Sequence, residues 1–132
     1  MKAIVLSSGG VDSTTCLAMA VHELGKENVV TLSFEYGQRH CKELDSAQKV
    51  ADYYGVRHVV FNLTQIFSFS NCSLLSTSTE KPVHESYAEQ ISKNGEGKVS
   101  TYVPFRNGLM LSAGAALAQS LFPEEKCEIW IG

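Results

Sequence analysis

A chain of 132 residues, 44% apolar and 19% charged, has the makeup of one globular domain with a core of its own. Its net charge of −3, with no two Lys or Arg residues adjacent, argues against a nucleic-acid partner, whose phosphates call for a basic stripe. Small molecules are the expected partners.

The opening Met1-Lys2-Ala3-Ile4-Val5-Leu6 has too short an apolar run for a signal-peptide core or a membrane span, so no membrane partner and a cytoplasmic location are expected. Residues 3–6 form a continuous apolar run closed by a Ser/Gly cluster, the pattern of a strand buried on both faces. Leu17, Val21 and Leu24 then recur at helical spacing, with Gly25 as the expected C-cap. Cys16 falls in this helix and reads, like Cys127, as a small core residue. Residues 29–34 are β-branched and aromatic, a second strand. Leu44, Ala47, Ala51 and Tyr54 make a second helical stripe closed by Gly55, and residues 58–63 a third strand. Residues 68–103 are rich in Ser, Thr and Asn, and are expected to be a polar insertion. A third helix is expected over 107–121, with Leu109, Ala113, Ala116 and Leu117 inward, followed by a strand over 127–131. The four cysteines, Cys16, Cys41, Cys72 and Cys127, contain no CxxC pair and suit a reducing compartment.

Strands alternating with helices predict an α/β fold: an open parallel sheet with flanking helices and right-handed crossovers. The expected organisation is a single nucleotide-binding domain over 1–132. The last strand has no covering helix after it, although ligands in such sheets sit beyond the carboxyl ends of the strands. The chain is therefore expected to be incomplete at its C-terminal end, a natural end at an edge strand being the alternative. An exposed sheet edge would favour a homo-oligomer.

The turn Ser7-Ser8-Gly9-Gly10-Val11-Asp12-Ser13-Thr14 carries the chemistry. Adjacent glycines let the backbone take positive φ and approach a ligand closely. Amides at the helix start then face an anion, helped by about half a positive charge from the helix dipole. Ser8, Ser13 and Thr14 add hydroxyls. The turn is neither GxxxxGK[ST] nor GxGxxG. Asp12 sets it apart, since a carboxylate beside phosphates needs a cation between them, and Mg²⁺ bound by Asp12 is expected. The plainer reading is that Asp12 or Ser13 only caps the helix.

Ser8-Gly9-Gly10-Val11-Asp12-Ser13 resembles the SGGxDS signature of the PP-loop ATP pyrophosphatases, which have the adenine nucleotide α-hydrolase-like, Rossmann-like fold. The resemblance implies ATP held by Ser8, Gly9, Gly10, Val11, Asp12, Ser13 and Thr14, and cleaved between its α- and β-phosphates. Three further segments, Ser13-Thr14-Thr15-Cys16-Leu17, Phe34-Glu35-Tyr36-Gly37-Gln38-Arg39-His40 and Val103-Pro104-Phe105-Arg106-Asn107, resemble the 7-cyano-7-deazaguanine synthases of queuosine biosynthesis. This implies an ATP-dependent ligase that joins ammonia to 7-carboxy-7-deazaguanine and dehydrates the amide to a nitrile. Asp12, Ser13, Arg39 and Arg106 are expected to carry catalysis.

Phe34, Tyr36, Gln38, Arg39, His40, Arg106 and Asn107 are the expected substrate contacts, each with a plainer alternative. Arg39 and Arg106 can grip phosphate or carboxylate oxygens, or make surface ion pairs. Phe34 and Tyr36 can stack on a purine-like ring, or pack beneath the loop. Gln38 can read a polar base edge, as can Asn107, which can equally be an N-cap. His40 can shuttle a proton, or cap a helix. The family also implies a structural zinc held by four closely spaced cysteines, but no cysteine here has that spacing. Rival readings are another PP-loop synthetase, a tRNA-modifying thiolase using Cys72 and Cys127, and a non-catalytic ATP sensor or inert fragment. The acidic balance speaks against tRNA.

Overall fold

The computed structural model describes residues 1–37, 42–69 and 105–132. They fall into two compact units. The larger takes in Met1–Glu35, Cys41–Asn62 and Arg106–Gly132, and the smaller Tyr36–His40 and Leu63–Phe105.

The larger unit is built on four parallel strands, β1 (Lys2–Leu6), β2 (Val29–Glu35), β3 (Arg57–Asn62) and β4 (Cys127–Trp130), in the order β3-β2-β1-β4. Helix α1 (Val11–Leu24) joins β1 to β2, and α2 (Lys42–Tyr54) lies between β2 and β3 in the chain. Buried residues of both helices, Leu17 and Ala20 with Ala51, share one core with Ala3 and Val5 of β1 and Val29 of β2. The opposite face of β1 and β4 is covered by a later helix, Arg106–Leu121. A third helix, α3 (Thr64–Phe67), precedes it in the smaller unit, so Arg106–Leu121 is α4.

Lining up Ala3 with Val29 and Ile4 with Val30 leaves β1 and β2 inside the sheet, which is why their sequences run apolar without alternating. β3, at one edge, mixes exposed and half-buried positions. Gly25 and Gly55 end α1 and α2 with positive φ, as their spacing predicts.

The contact line of α4 differs from the expected one. Ala116 is exposed, Leu109, Ala113 and Leu117 are half-buried, and the buried positions are Gly114 and Ala118. A methyl built on Gly114 would meet Ile129 and Leu6 at 3.6 Å. The smallest side chains allow the closest approach to the sheet, and they set the face that α4 presents.

Two polar side chains are sealed inside β2. The Ser33 hydroxyl donates to the Ser7 carbonyl. Thr31 Oγ1 lies 3.3 Å from the Arg57 carbonyl and 2.7 Å from His58 Nδ1. Giving the threonine proton to the carbonyl leaves Nδ1 to carry the imidazole proton and Nε2, buried and without a hydrogen-bond partner, as a bare lone pair. Burial lowers the pKa of His58, against a weaker upward pull from Asp52.

Candidate active site

The chain leaves the carboxyl end of β1 at Ser7, whose N–H donates to the Leu32 carbonyl at 2.9 Å. This is where the strand order turns: β2 and β3 build outward on one side of β1, β4 on the other. Clefts at such points are where open parallel sheets take ligands. The turn 8–14 starts there.

Gly9 has φ +79°, and a methyl on it would lie 2.6 Å from both the Ala47 nitrogen and Ser46 Cβ. Conformation and packing therefore both require glycine. Gly10 is the N-cap of α1, extended at φ −80° and ψ 178°, with no side chain capping the helix. The plainer reading of Asp12 and Ser13 as caps is thereby set aside. Asp12 is an exposed carboxylate in the first turn.

The serines hold the turn in a closed circuit. The Gly10 N–H donates to Ser8 Oγ at 3.3 Å, the Ser8 and Ser13 hydroxyls lie 3.2 Å apart, and Ser13 Oγ donates to the Gly10 carbonyl at 3.4 Å. The Ser8 N–H also donates to Ser13 Oγ, at 3.2 Å. Ser13 is buried and its hydroxyl is engaged within the turn. Ser8 and Gly10 remain exposed at the rim. The Thr14 N–H is bonded to the Gly10 carbonyl at 3.0 Å, whereas those of Val11, Asp12 and Ser13 have no partner inside an α-helix. These three amides and the exposed Ser8 hydroxyl gather donors at the start of α1, an arrangement suited to an anion.

The chain returns to this point from the other side of the sheet. A methyl on Gly132, just after β4, would lie 2.7 Å from the Asp12 carbonyl oxygen and 2.8 Å from Cys16 Sγ. Sequence reasoning missed both neighbours of the turn, the Ser46–Ala47 step of α2 and Gly132. The small residues at 46 and 47 were the available signal, since helices approach closely only through small side chains.

The outlying candidates divide. Phe34 is buried, its side chain edge-to-face with Phe61 at 6.2 Å between ring centroids, which suits the packing alternative. It lies inside β2 with the same parity as Leu32, which turns it into the sheet's packing layer. Tyr36, in the smaller unit, is buried edge-on to Phe67 at 5.9 Å. Gln38, Arg39 and His40 lie outside the described residues, as does the polar stretch 68–103 apart from Ser68 and Phe69. Arg106 opens α4 and is half-buried, preceded by Phe105 at φ +52°. Asn107 is exposed inside the first turn of α4, not at the N-cap.

The family model described as Queuosine biosynthesis protein QueC matches residues 2–130. The chain belongs to the QueC family. This QueC-family chain is 39% identical over 134 residues to the 7-cyano-7-deazaguanine synthase of Oceanobacillus iheyensis, covering 99% of itself and 54% of that protein. Against the synthase of Thermoplasma acidophilum it is 43% identical over 122 residues, covering 91% of itself and 47% of that protein. Against that of Leptospira interrogans it is 43% identical over 118 residues, covering 89% of itself and 45% of that protein. The chain spans about half the length of the curated relatives it matches. Among solved structures it resembles the NH3-dependent NAD synthetase from Campylobacter jejuni in complex with the nitrate ion, with a TM-score of 0.59 at 15% identity over 90% of this chain and 43% of that one. That likeness establishes the fold, an adenine nucleotide α-hydrolase-like parallel sheet. Among the described residues no group of three His, Cys, Asp or Glu could hold a metal ion, and no helix is long and apolar enough to cross a membrane.

Proposed function

We propose that this chain is the nucleotide-binding part of an ATP-dependent carbon–nitrogen ligase that makes 7-cyano-7-deazaguanine from 7-carboxy-7-deazaguanine and ammonia. The supporting observation is the turn 8–14, with its unpaired helix-start amides and exposed Asp12 at the point where the strand order reverses, in a chain of the QueC family. The functional unit is one nucleotide-binding domain over 1–132, with 68–103 an insertion in it.

The residues present fit a magnesium-bound triphosphate. Gly9 gives the turn its positive φ, Gly10 leaves the helix end uncapped, and Asp12 stands exposed beside it. Mg²⁺ needs only one or two carboxylates when phosphate oxygens complete its shell, so Asp12 suffices from the protein side. When bound, the ion would neutralise charge on the pyrophosphate leaving group. The zinc implied by the family finds no matching ligands in this sequence, since Cys16, Cys41, Cys72 and Cys127 are widely spaced.

The reaction needs no protein nucleophile. The substrate carboxylate attacks the α-phosphorus of ATP and pyrophosphate leaves. Ammonia displaces AMP to give the amide, and a second ATP activates the amide oxygen, which departs on AMP as the nitrile forms. The amides of Val11, Asp12 and Ser13 hold phosphate oxygens in line, and Ser13 keeps the turn in shape. Arg39 and Arg106 steady the anionic groups, while Tyr36, Gln38, His40 and Asn107 hold the base. Positioning and charge stabilisation of this kind suffice for nucleotidyl transfer. The substrates are small molecules, and free Cys16 and Cys127 suit a reducing cytoplasm.

Pyrophosphate release tests this reading. With Mg-ATP, ammonia and carboxy-deazaguanine present, pyrophosphate and AMP should appear in step with nitrile. Mg-ATP binding without pyrophosphate would leave a nucleotide sensor in its place.

A further inference from the structure

We propose that the Ser46–Ala47 step of α2 is a positioning element for the anion-binding turn, with Ser46 Cβ holding Gly9 in place. The proposal rests on the nucleotide-binding reading above and deepens it. Three observations carry it. The Cα hydrogen face of Gly9 is pressed on α2, where an added methyl would lie 2.6 Å from Ser46 Cβ and from the Ala47 nitrogen and 2.9 Å from the Ser46 carbonyl carbon. Ala47 is fully buried, so this part of the helix is anchored and cannot withdraw. The bonds that close the turn on itself are long, at 3.2 to 3.4 Å, and supply little rigidity of their own.

The consequence is a division of labour. The serine circuit closes the turn, and α2 fixes where it stands. Gly9, at positive φ, stands between Ser8 and Gly10, whose hydroxyl and amide are joined at 3.3 Å, so a shift at Gly9 swings the Gly10 amide. α2 follows the segment 34–40 in the chain, which places the wall of the phosphate site on the helix that begins just after the expected substrate-reading residues. The Ser46 side chain is itself exposed, so its replacement leaves the core intact.

The test compares Ser46→Gly, Ser46→Ala and Lys49→Gly in the whole chain. Lys49→Gly is the control for the helix cost of glycine, at an exposed position of α2. Losing one close-packed carbon should weaken Mg-ATP binding about five-fold in Ser46→Gly. It should also speed hydrogen exchange at the Gly9 and Gly10 amides. Ser46→Ala, which keeps Cβ, should match the native chain in both, and Lys49→Gly should change neither. Equal effects of Ser46→Gly and Lys49→Gly would reduce the contact to helix stability and overturn the proposal. A loss in Ser46→Ala as large as in Ser46→Gly would also overturn it, by assigning the role to the hydroxyl. If the native chain takes up no Mg-ATP, the nucleotide reading fails, while the exchange rates still decide whether α2 holds the turn.

Discussion

At Gly9 two demands coincide, a positive φ and the absence of a Cβ against Ser46 and Ala47. Gly9→Ala should therefore lower stability by about 2–4 kcal/mol, combining left-handed strain with overpacking, read as a shift of the urea midpoint. Asp12→Asn separates chemistry from folding. The side chain is exposed and caps nothing, so the unfolding midpoint should hold while magnesium-dependent turnover of ATP falls at least tenfold. Retained turnover would remove Asp12 from the site. The first of these residues was legible in the sequence and its reason only half so. Ser-Gly-Gly before a helix announces a turn with positive φ, but contact with α2 is a tertiary fact that no local pattern encodes. Phe34 is legible only in part: its place in a motif suggests stacking, while its position in a strand buried on both faces suits packing against Phe61.

The elements came through the sequence more fully than the faces they present. All four strands of the described sheet lie where apolar runs and turn residues predict, because buried parallel strands leave little room for polar side chains. The buried line of α4 runs through Gly114 and Ala118, small residues that a pattern of larger apolar side chains does not mark. Since a methyl on Gly114 would rest in ordinary contact with Ile129 and Leu6, Gly114→Ala should stabilise the chain by roughly 0.5–1 kcal/mol through helix propensity, seen as a higher Tm. A lower Tm would mean that the helix stands closer to the sheet than described. Between β2 and β3, Thr31 and His58 form a polar contact that apolar periodicity cannot reveal. Because burial lowers the His58 pKa, the unfolded chain binds the proton more readily than the folded one. The stability this contributes is present above the ordinary value of 6.5 and is lost as pH falls from there through the depressed value. Urea midpoints measured downward from pH 6.5 should fall more steeply for the native chain than for His58→Gln, and parallel slopes would contradict the assignment.

At the scale of the molecule, the position of β1 between β2 and β4 makes the site. Successive units build outward on opposite sides of it, and the turn after β1 lies where their directions part, with Gly132 returning against α1. Alternating strands and helices predicted such a sheet, but not the order β3-β2-β1-β4, because strand order is fixed by which faces and edges pair in three dimensions. The motif reads as a phosphate turn from its residues alone, and the fold sets it at the kind of position where parallel sheets bind ligands. In the proposed function this turn grips a magnesium-bound triphosphate. Amide hydrogen exchange across the chain, with and without saturating Mg-ATP, addresses it most directly. The account predicts protection concentrated at residues 9–13 and lost when magnesium is withheld. Saturable binding that protects another region and leaves the turn unchanged would contradict it.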